Sequence, residues 1–382
     1  ATPNTTGSGG APLGGEVVAV NSAGDLAFIK NIVLQHSNAT EGTSSGRGIP
    51  NYLGAPVISP DGLSAWVPSK QDNIKRGVFR DQNQLTFEST IRAISSRINL
   101  GNLTEDYPSR IDHDNSGVGS AATFDNTGSY LFVALETSRE VAVIDPYNHV
   151  QLMRINVGRA PQGLTFGSDA SQDRLYVHNF MDRTISAFDV TDLLRSGTTQ
   201  ISLIATSNAV ATERLTPQVL LGKQMFYDAR DTKLARDRYI SCASCHRDGG
   251  HDGRVWDLTG FGEGLRNTVD LRGRAGMTHG RLHWSGNFDE VQDFEGQIRA
   301  LAGGTGLMTD IQFNFGTRSQ PLGDPKTGVS AELDALAAYV TSLSTYEPSP
   351  YRNPDQGATL TPDGLAGQAL FIAKNCVSCH SN

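Results

Sequence analysis

Cys242-Ala243-Ser244-Cys245-His246 returns near the other end of the chain as Cys376-Val377-Ser378-Cys379-His380, and the two copies contain all four cysteines of the 382 residues. Nothing is left over for a disulfide. In this spacing two thiols can add to the vinyl groups of a haem while the adjacent histidine is held beneath the iron. A redox dithiol does not need histidine after both copies, and a zinc site would have to join its halves across a long intervening segment. By chance alone a single Cys-x-x-Cys-His is expected on the order of a thousandth of a time in a chain of this composition. Two covalently attached haems c are therefore inferred, with zinc as the main competitor. Cys242, Cys245, Cys376 and Cys379 are the attachment points, and His246 and His380 the proximal iron ligands.

The chain is long enough for two or three cores, and its 41 glycines suggest many turns between short elements. A net charge of −8 disfavours nucleic acid as a partner. No apolar run approaches the ~20 residues that span a bilayer. Covalent haem attachment takes place outside the cytoplasm, so a periplasmic, extracellular or cell-surface location is expected. The opening Ala1-Thr2-Pro3-Asn4-Thr5-Thr6-Gly7-Ser8-Gly9-Gly10 is low-complexity and reads as a mature terminus, a linker or the edge of a fragment.

Upstream of the first motif one unit recurs as strand, polar turn and strand. Val17-Val18-Ala19-Val20 leads to Leu26-Ala27-Phe28-Ile29, and Pro56-Val57-Ile58 leads through Ser59-Pro60-Asp61-Gly62 to Ser64-Ala65-Trp66-Val67. Ala122-Thr123-Phe124 leads through Asp125-Asn126-Thr127-Gly128 to Tyr130-Leu131-Phe132-Val133, and Gly163-Leu164-Thr165-Phe166 leads to Arg174-Leu175-Tyr176-Val177. Further strands after the third copy, at 140–145 and 149–155, complete a meander. Four-stranded units at ~40-residue spacing predict β-propeller blades, four of them recognisable, which is a partial ring. Residues 80–118 read as an insertion. Their Asp112-His113-Asp114-Asn115 is expected to be a solvated turn, with a calcium site as the alternative.

The strand pattern fades over 191–215. Thr216 then reads as an N-cap and Pro217 as the first residue of a helix with Val219, Leu220, Met225 and Phe226 on its apolar face. Leu215-Thr216-Pro217, Gly222 and Phe226 recur in spacing and identity as Leu360-Thr361-Pro362, Gly367 and Phe371. Two related, mainly α, c-type haem modules are thus expected. A helix over 330–343, with Leu333, Leu336, Val340 and Leu343 on one face, closes the first by crossing the Pro217 helix. Pro348, Pro350 and Pro354 mark a linker. The expected division is a propeller over 1–212, a first module over 213–350 and the start of a second over 351–382.

The propeller units resemble the Tyr-Val-Thr-Asn repeat family, here as Leu175-Tyr176-Val177-His178-Asn179. Residues 213–382 resemble the bacterial di-haem cytochrome c peroxidase superfamily. The resembling stretches are Leu221-Gly222-Lys223-Gln224-Met225-Phe226-Tyr227-Asp228, Leu265-Arg266-Asn267-Thr268, and His283-Trp284-Ser285-Gly286 followed by Asp293-Phe294-Glu295. The resemblance implies that the haem of His246 meets hydrogen peroxide, that the haem of His380 accepts electrons, and that Trp284 bridges them, an ordinary core tryptophan being the other reading. The family's distal histidine is replaced by Leu258-Thr259-Gly260-Phe261-Gly262-Glu263-Gly264, and its catalytic Gln and Glu have no clean match. Glu263, Glu290 and Glu295 are the remaining candidates for proton transfer, each weighed against a surface role.

Two functions are carried forward. One is a peroxidase-like oxidoreductase supplied by a redox-protein donor. The other is an electron-transfer cytochrome with both irons six-coordinate, passing electrons between partners or subunits. His283, His279, His251 and Met277 are the candidate ligands on the far face of the first iron, His283 being favoured for its place beside Trp284. Only Ser381-Asn382 follow His380, so the second haem is expected to be completed by downstream residues, by a ligand from elsewhere in the same chain or by a neighbouring chain in a homo-oligomer, the first being favoured.

Overall fold

The computed structural model describes residues 15–43, 45–346, 349–353 and 359–380. The low-complexity opening, Pro348, Pro354 and Ser381-Asn382 lie outside the described residues. Two four-stranded antiparallel meanders dominate the middle of the N-terminal half. The first is β9 (Gly119–Phe124), β10 (Leu131–Leu135), β11 (Glu140–Asp145) and β12 (Val150–Asn156). The second is β13 (Pro161–Ser168), β14 (Asp173–Asn179), β15 (Thr184–Asp189) and β16 (Ser202–Asn208).

Period-two alternation explains how these sheets stack. All five residues of β10 are buried, because each face of the strand meets a different neighbour. Leu131, Val133 and Leu135 pack with Trp66, Ala93 and Ile111 on one side. Phe132 packs with Leu175, Val177 and Phe188 on the other. Each such side chain contributes roughly 1.5–3 kcal/mol of burial, so the core of one sheet depends on both neighbours.

Ahead of the meanders, β1 (Glu16–Val20) and β2 (Phe28–Val33) form a hairpin. A larger sheet has the order β3 (Ile49–Asn51), β5 (Ser64–Asp72), β6 (Ile91–Asn99), β7 (Thr104–Glu105), with β4 (Val57–Ile58) on β5 and β8 (Ile111–His113) on β6. The N-terminal half is therefore antiparallel sheets stacked as blades. The Asp-Gly turns form as read: Gly62 and Gly128 take φ of 72° and 76° and close on Ser59 and Asp125.

Several expectations are corrected. Residues 80–118 are not an insertion, since β6 pairs with β5 from Ile91 to Asn99 and its small or polar residues Ser95 and Ser96 hide it from a pattern search. Only the second half of the cluster at 112–115, Asp114 and exposed Asn115, is a turn, while Asp112 and His113 belong to β8. His113 is fully buried between Ser95 (2.9 Å) and Gln151 (3.0 Å), and Arg92 donates to Asp112 at 2.7 Å, so a guanidinium serves as the counter-ion. The fading region 191–215 contains β16, whose seven residues are all exposed and whose adjacent Leu203 and Ile204 do not alternate with polar residues as in a half-buried strand. The first recognised copy is a two-stranded hairpin and not a full blade.

Short helices α1 (Phe87–Thr90) and α2 (Thr191–Ser196) flank β6 and β15. The C-terminal half is mainly helical, with α3 (Pro217–Phe226), α4 (Glu295–Ala300), α5 (Asp310–Phe313), α6 (Ala331–Ser342) and α7 (Pro362–Ala373), plus the hairpin β17 (Val255–Leu258) and β18 (Gly264–Asn267). Helix α6 crosses α3 as expected. Met225, Phe226, Leu333, Leu336 and Tyr339 form the shared core, with Cys242, Val340 and Leu343 packed against it. The crossing needs glycine: a Cβ on Gly222 would sit 1.8 Å from the Ala335 carbonyl oxygen.

Candidate functional site

Helix α3 leads into a single 3-10 turn over Cys242–Ser244, capped reciprocally by Ser241 and Ser244. The backbone amides of Cys245 and His246 return to the Cys242 carbonyl at 3.2 and 2.9 Å, which holds both thiols and the imidazole on one tight turn. His246 Nδ1–H donates to the Gly250 carbonyl at 3.1 Å, which makes Nε2 the atom suited to bind a metal. That is the arrangement of a metal-ligating histidine. Burial lowers the His246 imidazole below its usual range and keeps it neutral, and burial pushes the Cys242 thiol up to about 11. The donor set fits a covalently held haem.

The second motif is built alike. Thr361 caps α7 by accepting from Gly364 as Thr216 caps α3 by accepting from Val219, and both helices carry proline in the first turn. Cys379 and His380 amides return to the Cys376 carbonyl at the same 3.2 and 2.9 Å. Around α7, however, Leu365, Leu370, Phe371 and Ile372 are exposed, and a Cβ on Gly367 would meet nothing within 4 Å.

The N-terminal sheets supply residues that the sequence pattern did not single out. Lys70 at the end of β5 is fully buried and donates to the Ser244 carbonyl at 2.6 Å, within the first motif. It pairs with Asp72 at 3.0 Å and Asp252 at 3.2 Å, and Arg254 closes the group on Asp72 at 3.0 Å. Trp256 Nε1–H donates to Asp252 at 3.1 Å. Burial alone would pull the Lys70 ammonium down, but Asp72 and Asp252 outweigh it and hold it above its ordinary value. Burial likewise works against the Asp252 carboxylate, which Lys70 and hydrogen bonds from Thr268, Arg254 and Trp256 hold below the usual range. A signal was present: Lys70, Gln71 and Asp72 follow Trp66-Val67 in one strand, where polar residues at both periodic positions demand partners.

Among the candidate distal residues, Glu263 and His283 come together. They line a cavity of about 360 Å³ with Phe261, Phe288, Gln297 and Phe313. His283 Nδ1 lies 2.8 Å from Asn287 Oδ1 and 3.4 Å from Glu263 Oε1, and Gln297 donates to its Nε2 at 3.0 Å. The proton therefore sits on Nδ1. His283 takes a φ of 64°, a left-handed backbone unusual outside glycine. Glu263 is only 3% exposed; Ser285 donates to its Oε1 at 2.6 Å, while Oε2 makes no hydrogen bond among the described residues and lies 3.6 Å from Arg266 Nε.

The other candidates lie elsewhere. Glu295 is buried, and its oxygens accept from the Leu307 and Met308 amides at 2.9 and 3.1 Å and from Arg299 at 2.9 Å. Glu290 accepts from the Lys326 and Thr327 amides at 2.6 and 3.0 Å. Both carboxylates are spent on fastening loops. His279 Nε2 lies 2.6 Å from the Tyr346 hydroxyl and 3.3 Å from the Gly273 carbonyl oxygen, exposed His251 accepts from the Gly253 amide at 3.1 Å, and Met277 lines a separate groove beside Ala337 and Thr341 of α6. Trp284 is 56% exposed with its indole N–H donated to the Asn267 carbonyl at 2.9 Å, so it stands at the surface of this half and not in its core.

Similar solved structures include hydrazine synthase from Kuenenia stuttgartiensis, at 14% identity and a TM-score of 0.32 over 42% of this chain and 48% of that one. A protein from Lactobacillus plantarum has 20% identity and a TM-score of 0.32 over 50% of each chain. The β-propeller domain of Swd1 from Myceliophteria thermophila has 12% identity and a TM-score of 0.26 over 47% of this chain and 62% of that one. The chain spans about half the length of the solved structures it matches. No curated protein matches it. Residues 216–302, which run from the cap of α3 through the first motif and the Glu263–His283 cavity, match the di-haem cytochrome c peroxidase family, so the chain joins a module of that kind to stacked, blade-like sheets.

Proposed function

We propose that this di-haem cytochrome c peroxidase-like redox protein reduces hydrogen peroxide at its first module, outside the cytoplasm, with electrons from a redox-protein donor. The observation that carries the reading is the buried Glu263 carboxylate, whose Oε2 makes no hydrogen bond and faces the Arg266 guanidinium at 3.6 Å, beside His283 in a cavity walled partly by Phe261, Phe288 and Phe313. Reduction of hydrogen peroxide takes up two electrons and two protons, breaks the O–O bond and releases two waters. A haem held by Cys242, Cys245 and His246 supplies the redox-active iron. The protein's own contribution is the protons and the pocket. Glu263 Oε2 is positioned to give and regain a proton, as general acid–base work requires. His283, with its proton on Nδ1 toward Asn287 and Glu263, orients that carboxyl group, and Gln297 holds the imidazole from the other side. Phe261, Phe288 and Phe313 form the apolar part of the cavity wall. Cys376, Cys379 and His380 would hold the second haem, which would supply the electron-accepting site, with Trp284 as the proposed relay.

Glu263→Gln should lower kcat for peroxide by about 100-fold or more while haem content stays at two per chain. One observation favours the electron-transfer alternative: the His283 Nε2 lone pair is held only by the Gln297 amide, which a side-chain rotation would release toward an iron. Electron paramagnetic resonance separates the two. A high-spin first haem in the oxidised or half-reduced protein supports peroxide reduction, and persistent low spin in both states means that His283 or another ligand closes the iron and the protein is an electron carrier.

A further inference from the structure

Tyr52 and Lys70 reach across 193 and 174 residues of sequence to touch the first motif at consecutive carbonyls. The Tyr52 hydroxyl donates to the Cys245 carbonyl at 2.9 Å and accepts from the Arg247 amide at 3.3 Å, so it brackets His246. Lys70 donates to the Ser244 carbonyl at 2.6 Å, and its ammonium lies 4.4 Å from the centre of the Tyr52 ring and 5.9 Å from that of Trp256. Neither the Lys70 nor the Asp72 and Asp252 side chains have any exposed surface. Solvent therefore does little to screen this charge, and charge in a low-dielectric interior acts over longer distances than at a surface. A buried ion cluster is a weak way to fasten two domains, since packed apolar residues often do as well or better. Groups that hydrogen-bond and charge the surroundings of a metal ligand tune the metal.

We propose that the N-terminal sheets set the reduction potential of the first haem through the Lys70 charge at the Ser244 carbonyl, opposed by Asp252, with Tyr52 as a second positioning residue at Cys245. The inference rests on the reading that Cys242 and Cys245 carry a haem. Adding one electron to the haem removes one positive charge from it, so a nearby ammonium favours the reduced state and a nearby carboxylate the oxidised state. The sheets are in this view part of the redox centre and not a spacer.

The test is a spectroelectrochemical titration of the full-length holoprotein after a pyridine haemochrome count. Fewer than two haems in the natural sequence would overturn the attachment reading and with it the inference. With two present, Lys70→Met should lower the midpoint of the first haem and Asp252→Asn should raise it. The expected shift is on the order of tenfold in the ratio of reduced to oxidised haem at fixed potential, about 59 mV for a one-electron couple. Lys70→Arg, which keeps the charge, should restore most of it, and the second haem should not move. A structural perturbation would push both neutralising variants the same way. Shifts of the same sign, or none, overturn the proposal. Should Lys70→Met not yield folded protein, the direction of the Asp252→Asn shift decides: upward supports it, downward or absent overturns it.

Discussion

Glu263 and Glu295 are both glutamates buried in the first haem module, and their hydrogen bonds separate a group free to react from a strut. Glu295 accepts from two backbone amides and an arginine, whereas Glu263 Oε2 makes no hydrogen bond and only faces the Arg266 guanidinium at 3.6 Å. Hydrogen bonds to a charged acceptor are worth about 1.5–3 kcal/mol each. Glu295→Gln should therefore cost about 2–3 kcal/mol in urea unfolding, while Glu263→Gln should cost less than about 1 kcal/mol and fall mainly on turnover. Sequence alone could not rank these two, because each is one acidic residue in a loop or helix start and only the folded chain decides which amides reach it. His113 supports a pH prediction on the same scale. Burial lowers its imidazole to about 4, so the neutral ring contributes stability that is complete above its unfolded value of 6.5 and is lost as pH falls toward 4. Its neighbour Asp112 is raised by burial to about 6 and acts in the opposite sense as pH falls below that value. Removing the ring by His113→Gln should shrink the drop in stability between pH 7 and pH 5 by about 2 kcal/mol, read from chemical denaturation at both pH values.

Two helices that look alike in sequence differ in what covers them. Gly222 in α3 and Gly367 in α7 occupy matching positions, yet a Cβ on the first would strike the Ala335 carbonyl oxygen at 1.8 Å and on the second would meet nothing. Backbone cannot swing away as a side chain does, so Gly222→Ala should separate α3 from α6 and cost about 1–3 kcal/mol or more. Gly367→Ala should instead stabilise α7 by up to about 1 kcal/mol, through helix propensity alone. Thermal melts of the two variants, followed by helix signal, should shift in opposite directions. Equal shifts would mean that α7 is crossed by another helix at Gly367 in the protein as it exists in solution. The repeat of Thr-Pro, Gly and Phe reports the local element faithfully, because cap and first turn are decided within a few residues. What packs on the glycine is a non-local matter.

At the scale of the molecule, the sheets and the first haem module are held together by charges that belong half to each. Asp252 and Arg254 find Lys70 and Asp72, Arg247 finds Glu136 at 2.8 Å, and Asp228 finds Arg139. Removing one side of such a buried pair costs about 3–5 kcal/mol. Residues 213–382 expressed alone should therefore be far less stable than the full chain, with an earlier denaturant midpoint and poorer haem incorporation. A fragment that takes up haem and unfolds at the same midpoint as the intact protein would show that the sheets contribute nothing to it. The same logic applies within the sheets, where β10 is buried on both faces and has no exposed side to lose.

What the sequence determined by itself was everything carried by short-range pattern. Two Cys-x-x-Cys-His motifs name their own chemistry, the Asp-Gly turns and alternating apolar residues mark β9 to β15, and capped helices at Thr216 and Thr361 announce two related modules. The strands that escaped, β6 to β8 and β16, are those whose residues are polar, short or exposed, so their identity comes from hydrogen-bonded partners and not from an apolar period. Only the tertiary structure decided that Glu263 and not Glu290 or Glu295 keeps an oxygen that makes no hydrogen bond, that His283 stands beside it, and that Lys70 and Tyr52 meet the first motif. The reason is physical: an isolated polar residue has the same local signature whether it ends in solvent, in a latch or in a reactive site. Its role is set by which distant groups the fold brings within hydrogen-bonding reach.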